Sequence, residues 1–194
     1  IIDLSDEARQ PMEAPNGAAI AYNGEIYNYI ELREDLASGW AFRSHSDTEC
    51  ILAGYARWGR DVVDHLRGMF AFALWDEANQ RMFCARDRFG IKPFYYAVVD
   101  GVFYFASEAK ALLPFLPEID TDADALAEYL TFQYTIGEHT LFKGIKQLLP
   151  GHALTVGNGE VTVWRYWDVR YEIDYDHSQI YFARRLEELV SASV

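Results

Sequence analysis

The sequence has 194 residues, of which 51% are hydrophobic and 24% charged, enough apolar material for a folded core and too much for a disordered chain. Its 17 lysines and arginines face 30 aspartates and glutamates, a formal net charge of -13 that argues against a nucleic-acid-binding surface. No segment approaches the roughly 18 apolar residues of a membrane-spanning helix, and two cysteines are too few for a disulfide scaffold, so we expect a cytoplasmic chain without nucleic-acid or membrane partners.

The chain opens on an apolar stretch rather than on a methionine. Ile1 and Ile2 precede Asp3 and Leu4, a pattern that is typical of the end of a strand. We therefore expect a longer protein that continues upstream of Ile1. Any catalytic residue at its true N-terminus would lie outside this sequence.

A strand, a tight turn and a helix are predicted in the first part of the chain. Small and apolar residues over Ala18–Tyr22 predict the strand, and Asn23-Gly24 is a strong turn dipeptide. Asn28 follows as a candidate helix cap. This order leaves backbone N–H groups exposed where the turn meets the helix.

A second helix is predicted by the capping-box pattern Ser46-Asp47-Thr48-Glu49. Gly59 is expected to end it, and a short third helix is expected around Val62, Val63 and Leu66.

The middle of the sequence predicts antiparallel hairpins. Met69–Trp75 and Met82–Ala85 form one pair of strands, and Pro93–Val99 and Val102–Ala106 form another pair around Asp100-Gly101. The apolar and polar residues of these strands hardly alternate, which indicates that both faces of each sheet are covered. We therefore predict an α+β fold in which two stacked antiparallel sheets carry helices on their outer sides, a four-layer αββα sandwich.

The last third predicts one more helix and hairpin, and then a change of domain. The helix spans Asp122–Gln133, and the hairpin pairs His152–Val156 with Val161–Tyr166 around a turn at Gly157-Asn158-Gly159. The amphipathic pattern of Ser178–Val194 stops without a partner for its apolar face. We predict a first domain over residues 1–173, with residues 174–194 forming a linker and the first helix of a second domain.

The residue patterns predict no metal site, because the five histidines are scattered and none has a spacing typical of zinc ligands. Cys50 and Cys84 each lie among apolar neighbours, so we expect both to be buried. The run Phe94-Tyr95-Tyr96 is expected to belong to the core.

Five separate segments of the sequence carry a family pattern together. They are Tyr22–Tyr29, Ser46–Glu49, Ala85–Tyr96, Phe105–Leu112 and Lys146–Gly151. These segments closely resemble the N-terminal glutaminase domain of glutamine-hydrolysing asparagine synthetases, a class II glutamine amidotransferase domain, and they occur in the family's order and at natural spacing over nearly the whole chain. The resemblance implies the N-terminal nucleophile hydrolase fold, in agreement with the predicted sandwich.

The resemblance also implies an active site. The family's nucleophile is a cysteine at the mature N-terminus whose α-amino group is the general base, and a nearby arginine binds the carboxylate of glutamine. Both would precede Ile1, so the fragment alone is expected to be inactive. At matching positions, the Asn23 amide and the Gly24 N–H would form the oxyanion hole, and Asp47 would bind the ammonium of glutamine with help from Glu25. We expect Asn23, Gly24 and Asp47 to converge on one concavity near Ile1.

Simpler interpretations of these residues stay open. Asn23-Gly24 could be only a turn, and Asp47 could only stabilise the positive end of its helix. Arg86, Asp87 and Arg88 suit an ion-pair cluster or a contact with the next domain better than catalysis.

The resemblance implies that the parent protein is a ligase that converts aspartate to asparagine with ammonia from glutamine. The partners would be glutamine, a C-terminal synthetase domain of the same chain and a second copy in a possible homodimer. This domain would need no cofactor, whereas the synthetase domain would use ATP and magnesium. The alternatives are a non-catalytic amidotransferase-like scaffold and an amidotransferase for another acceptor, such as a sugar acid.

Overall fold

The computed structural model describes residues 2–193, which form two antiparallel sheets flanked by helices. In chain order the strands are β1 (Met12–Glu13), β2 (Ala19–Ile26), β3 (Gly68–Asp76), β4 (Arg81–Arg86), β5 (Tyr95–Val99), β6 (Val102–Ala106), β7 (Lys146–Gln147), β8 (His152–Gly157) and β9 (Glu160–Arg165). The α-helices are α1 (Tyr29–Leu36), α2 (Asp47–Trp58), α3 (Val62–His65), α4 (Ala123–Phe132) and α5 (Gln179–Ser191). Short 3-10 helices span Asp6–Ala8, Gly59–Asp61 and Ala109–Phe115.

Sheet I contains six strands in the order β1-β2-β3-β4-β8-β9, and sheet II contains three in the order β6-β5-β7. All of their pairings are antiparallel. Strand β3 lies at the centre of sheet I and pairs with the whole of β2, from Ala19 opposite Trp75 to Ile26 opposite Gly68.

Strand β3 has a different layer on each of its faces. Phe70 and Phe72 pack with Ile51 of α2 in the largest buried cluster, which lies between α1, α2 and sheet I. Ala71 and Ala73 belong to a second cluster on the opposite face. The alternation follows from the two-residue repeat of a strand, so large side chains meet the helices and small ones meet the other sheet.

The second and third clusters complete the layers. Cys84 of sheet I packs with Phe94 and Leu148 from the side of sheet II. On the outer face of sheet II, Leu112 of the third 3-10 helix packs with Ile145. Three buried clusters between four layers confirm the predicted αββα arrangement and the α+β class. Both cysteines are buried, as predicted.

The two strands predicted to be covered on both faces differ. In β3 the central residues 70–74 are all buried. Strand β6 is covered on both faces but less completely: Phe103 and Phe105 pack against the cluster between the sheets, and Tyr104 and Ala106 pack against the outer cluster. Val102 is 49% exposed and the other residues are half-buried. The physical reason is position, because β6 is the edge strand of the small sheet whereas β3 is central in the large one.

The hairpin turns agree with their sequence signals. Asp100 and Gly101 have φ values of 50° and 78°, and Asn158 and Gly159 have 52° and 79°. Two successive positive φ angles are those of the type I′ turn, which matches the twist of paired strands.

The turn predicted at Asn23-Gly24 is wrong, because β2 runs through both residues to Ile26. Pairing with β3 overrides the local turn preference of this dipeptide. The glycine has a packing reason instead: a Cβ added at Gly24 would overlap the backbone carbonyl oxygen of Met69. The chain turns later, at Tyr27 and Asn28.

The predicted cap of α2 is half right. Ser46 accepts a hydrogen bond from the Thr48 N–H at 3.2 Å, and Gly59 ends the helix as predicted. Glu49 does not complete the capping box, because its carboxylate accepts hydrogen bonds from Arg43 and Ser44 instead. The first turn of α2 therefore contains two buried acidic residues, Asp47 and Glu49.

Helix α5 begins one residue after its predicted start, with Ser178 as its cap. All of its described side chains are exposed, including those of the apolar stripe. Val194, the end of the predicted helix, lies outside the described residues. The division of the chain at residue 174 stays a prediction. Within residues 2–193, no helix combines the length and the apolar content needed to cross a membrane.

Candidate active site

The free edge of β2 organises the residues that the sequence singled out. The Tyr22 N–H donates to the side-chain oxygen of Gln10 at 2.6 Å, and the Ile26 N–H donates to Asp47 at 2.9 Å. Both N–H groups therefore point away from β3. Because N–H groups two residues apart on a strand point the same way, the N–H of Gly24 points to this edge as well.

The hydrogen bonds of β3 opposite Gly24 agree with an outward-directed Gly24 N–H. Phe70, the partner of Gly24 on β3, exchanges its hydrogen bonds with Asp87 rather than with β2. Within residues 2–193, β1 pairs only with residues 19 and 20, so no strand of this part of the chain covers the edge near Gly24. A backbone donor fixed by a strand and directed outward is the geometry that an oxyanion hole needs.

Asp47 lies where this edge meets the helix layer. It is the first residue of α2, and it is only 4% exposed. One of its carboxylate oxygens, Oδ2, accepts the Tyr22 hydroxyl at 2.7 Å as well as the Ile26 N–H. The other oxygen, Oδ1, has one long contact of 3.5 Å with the Ser46 hydroxyl. Asp47 therefore ties α2 to β2 and keeps one oxygen with spare acceptor capacity.

Tyr22 faces a negative environment. Burial raises the pKa of its hydroxyl far above its ordinary value, and the adjacent Asp47 carboxylate raises this pKa further. The hydroxyl therefore stays protonated at neutral pH and acts as a donor to Asp47.

Asn23 points to the other face of β2. Its side chain is exposed and its amide nitrogen donates to the Ser107 hydroxyl at 3.4 Å. Ser107 directly follows β6, so this bond connects the two sheets. Both residues line a cavity of about 240 Å³ whose walls include Gln10, Phe94 and Phe105.

The structure brings the predicted site residues to one strand edge but not into one cavity. The cavity that Asn23 lines does not include Gly24 or Asp47. Asn23 and Asp47 lie on opposite faces of β2, with the Gly24 N–H on the edge between them. The expected position near Ile1 lies outside the described residues.

Glu25 follows on the Asn23 face and is half-buried. Among the described residues, the Glu25 carboxylate makes no hydrogen bond and no ion pair. Its assisting role stays a prediction.

The three charged residues at the end of β4 do not form the predicted ion-pair cluster. Asp87 is 1% exposed, and its carboxylate accepts four backbone N–H groups. Arg86 and Arg88 donate to backbone carbonyls instead of pairing with a carboxylate. The carbonyls belong to Gly90, Lys92 and Leu148 for Arg86, and to Leu66 and Asp64 for Arg88. These three charged side chains therefore stabilise the loop that follows β4 through hydrogen bonds to backbone groups.

Sequence reasoning missed three residues of this region. Tyr22 holds Asp47, Gln10 binds the backbone of β2, and Ser107 binds Asn23. Each contact joins segments at least 12 residues apart, so local patterns could not reveal it. The sequence offered one indication that Tyr22 belongs to the site, namely its position directly before Asn23. No group of three or more His, Cys, Asp or Glu side chains that could hold a metal ion occurs within residues 2–193.

Comparison with known proteins gives a consistent result. The family described as a glutamine amidotransferase domain matches residues 1–167. The chain is 43% identical over 179 residues to the glutamine-hydrolyzing asparagine synthetase 3 of Bacillus subtilis, covering 89% of this chain and 29% of the relative. It is 38% identical over 192 residues to the amidase chyE of Penicillium rubens, covering 98% of this chain and 28% of the relative. The chain thus spans less than a third of these relatives.

Two solved structures share the fold. Glutamine phosphoribosylpyrophosphate amidotransferase from B. subtilis, complexed with ADP and GMP, superposes with a TM-score of 0.61 at 20% identity, covering 84% of this chain and 33% of that chain. A glutamine aminotransferase class-II domain protein from Silicibacter pomeroyi gives a TM-score of 0.53 at 14% identity, covering 84% of this chain and 72% of that chain. The predicted N-terminal nucleophile hydrolase architecture is confirmed.

Proposed function

This chain belongs to the glutamine amidotransferase domain family, and from that premise we propose that it is the glutamine-hydrolysing part of a longer asparagine synthetase. Ammonia released from glutamine would amidate aspartate in a C-terminal synthetase domain that uses ATP and magnesium. The proposal is supported by relatives that are named glutamine-hydrolyzing asparagine synthetases and are 42% to 43% identical to this chain.

The observation that carries the proposal is the outward-directed N–H of Gly24 between the Asn23 side chain and Asp47. Hydrolysis of an amide by a nucleophile passes through a tetrahedral oxyanion. Donors already fixed in place stabilise that charge without reorganisation, and loss of one such donor costs about 3 to 4 kcal/mol. The Gly24 N–H and the Asn23 amide are the two donors that we assign to this oxyanion.

Asp47 supplies the complementary charge for the other end of the substrate. Free glutamine is a zwitterion, so a site that selects it needs an anion for the ammonium and a cation for the carboxylate. We assign the ammonium to Asp47 Oδ1, the less occupied oxygen. We assign the nucleophilic cysteine and the carboxylate-binding arginine to sequence that precedes Ile1, as the family resemblance implies.

A second candidate keeps glutamine hydrolysis and changes the acceptor of ammonia. It is favoured by the similarity to the amidase chyE, which extends over 98% of this chain. Residues of this domain do not distinguish the acceptors, because the acceptor would bind in another domain.

The test is an assay of glutamate release by the full-length protein, with Asn23→Ala as the main variant. We expect kcat to fall by about 100-fold to 1000-fold, because one oxyanion donor is lost. Asn16→Ala is a matched control, since Asn16 is exposed and makes only a local turn contact with the Ala18 N–H. Asparagine formation from aspartate and added ammonia should survive both substitutions.

Three results would contradict parts of the proposal. A wild-type protein that releases no glutamate would indicate a non-catalytic scaffold. A kcat of Asn23→Ala within about twofold of wild type would remove Asn23 from the oxyanion hole. Glutamate release without asparagine formation from aspartate and ATP would favour the second candidate.

A further inference from the structure

We propose that Tyr22 is a positioning residue that holds Asp47 for the ammonium group of glutamine and thereby sets the preference for free glutamine. This inference rests on the proposed glutaminase function and on the assignment of Asp47. Tyr22 itself touches Asp47 rather than the substrate.

The argument starts from how the two oxygens of Asp47 are used. The Tyr22 hydroxyl and the Ile26 N–H both donate to Oδ2, at 2.7 Å and 2.9 Å. Two donors from one strand fix the plane of the carboxylate relative to β2. Among residues 2–193, the only partner of Oδ1 is the Ser46 hydroxyl at 3.5 Å, so Oδ1 is the oxygen that retains capacity for a cation.

A phenylalanine at position 22 could fill the same space but could not hold the carboxylate. With the hydroxyl removed, Oδ2 would keep a single donor, and the carboxylate would be free to rotate away from its present plane. Either oxygen could then turn towards the Ile26 N–H. The result would be a weaker and less directed site for an ammonium ion, with no change at the Gly24 N–H.

The alternative is that Tyr22 only stabilises the fold. A second tyrosine–aspartate pair in the molecule serves as a control for this alternative. At the other end of α2, the Tyr55 hydroxyl donates to the Asp76 carboxylate at 2.8 Å. This pair also ties α2 to sheet I, yet it contains none of the candidate site residues. Tyr22→Phe and Tyr55→Phe therefore each remove a hydroxyl that donates to a buried aspartate, and only Tyr22 binds a candidate site residue. The Tyr55 hydroxyl also accepts a longer contact from Arg81 at 3.4 Å.

The experiment compares two substrates with the full-length protein: glutamine and glutaramate, the analogue that lacks the α-ammonium group. For Tyr22→Phe we expect KM for glutamine to rise roughly tenfold while kcat stays within about twofold of wild type, as suits a lost bond to a charged group. The value of kcat/KM for glutaramate should not change. Tyr55→Phe should leave both substrates unaffected, although urea unfolding should show a comparable loss of stability for both variants.

A double-mutant cycle tests whether Tyr22 acts through Asp47. Asp47→Asn should lower kcat/KM for glutamine, and Tyr22→Phe should have little further effect in that background. The inference is overturned if an active wild-type enzyme keeps its preference for glutamine over glutaramate in Tyr22→Phe, or if Tyr55→Phe lowers the preference equally. A wild-type protein that hydrolyses neither substrate would instead refute the proposed function.

Discussion

Asp87 and Asp47 are both buried aspartates, with exposed fractions of 1% and 4%, but their surroundings use the carboxylate differently. The loop that follows β4 wraps around Asp87, so that each of its oxygens accepts two backbone N–H groups at 3.0 Å or 3.1 Å. Strand β2 gives Asp47, at the start of α2, two short hydrogen bonds, and both go to the same oxygen.

The difference separates a structural carboxylate from one that is suited to a ligand. An anion with a full set of donors has no acceptor capacity left, and its role is to hold the segments that supply the donors. An anion with one under-used oxygen can bind a cation as well. Burial alone would have ranked the two residues alike, whereas the hydrogen bonds of each oxygen distinguish them.

The largest expected effect is that of Asp87→Ala. Four backbone N–H groups, from Phe70 to Lys92, would lose their acceptor, and the Phe70 N–H among them is buried. Each buried donor without a partner costs about 1 to 3 kcal/mol, although partial relaxation keeps the total below the sum. We expect the free energy of unfolding in urea to fall by about 3 to 5 kcal/mol.

The control for this prediction is Asp61→Ala, because Asp61 is an exposed aspartate without a side-chain hydrogen bond in the described structure. Its stability should stay within about 0.5 kcal/mol of wild type. A loss below about 1 kcal/mol for Asp87→Ala would contradict the structural role and remove the basis of the comparison with Asp47.

Glu49 sharpens the comparison, because it lies in the same helical turn as Asp47 but has a full set of donors. Its carboxylate accepts the Ser44 hydroxyl at 2.6 Å, the Ser44 N–H at 2.7 Å and the Arg43 N–H at 2.9 Å. Burial raises the pKa of this carboxyl, but the hydrogen bonds from Ser44, Arg43 and Trp40 outweigh it, and the net pKa lies below the ordinary value of 4.5.

The direction of this shift fixes the pH dependence. Since the folded state binds the proton less tightly than the unfolded state, the stabilisation is fully present above pH 4.5 and is lost as pH falls through the lower folded pKa. We expect Glu49→Gln to lower the free energy of unfolding by about 2 kcal/mol at pH 7 and by less in acid. Urea unfolding between pH 7 and pH 3 measures both values.

Glu31→Gln serves as the control, because Glu31 is an exposed residue of α1. Its unfolding free energy should stay within about 0.5 kcal/mol of wild type at pH 7. If the curves of wild type and Glu49→Gln run parallel into acid, Glu49 does not titrate with a lowered pKa and the contrast within this helical turn is wrong.

The sequence predicted the parts of the fold that depend on near neighbours. Asp100-Gly101 and Asn158-Gly159 form the predicted turns because their positive φ angles suit few other residue pairs. Ser46 caps α2 because its hydroxyl reaches an N–H two residues away. Asn23-Gly24 shows the limit of this reasoning, because pairing with the distant β3 holds the dipeptide in a strand.

For the candidate site, the sequence named residues whose roles stay predictions, and it could not give their arrangement. The resemblance pointed to Asn23, Gly24 and Asp47, but their separation on two faces and one edge of β2 follows from strand pairing. The bond from Tyr22 to Asp47 spans 25 positions, and the bond from Asn23 to Ser107 spans 84. No repeat or capping pattern encodes contacts over such separations, which depend on how the layers stack.

The smallest expected effect concerns exposed side chains, in contrast to the buried carboxylates discussed above. Leu186 of α5 is 63% exposed, whereas Leu52 of α2 is 2% exposed in the main core. Both are leucines on amphipathic helices, so the difference between Leu186→Ser and Leu52→Ser measures burial alone. We expect less than about 0.5 kcal/mol for Leu186→Ser and at least about 3 kcal/mol for Leu52→Ser in urea unfolding of this chain. A loss above about 1 kcal/mol at Leu186 would show that α5 packs against the sandwich in solution, because an exposed leucine has no apolar contacts to lose.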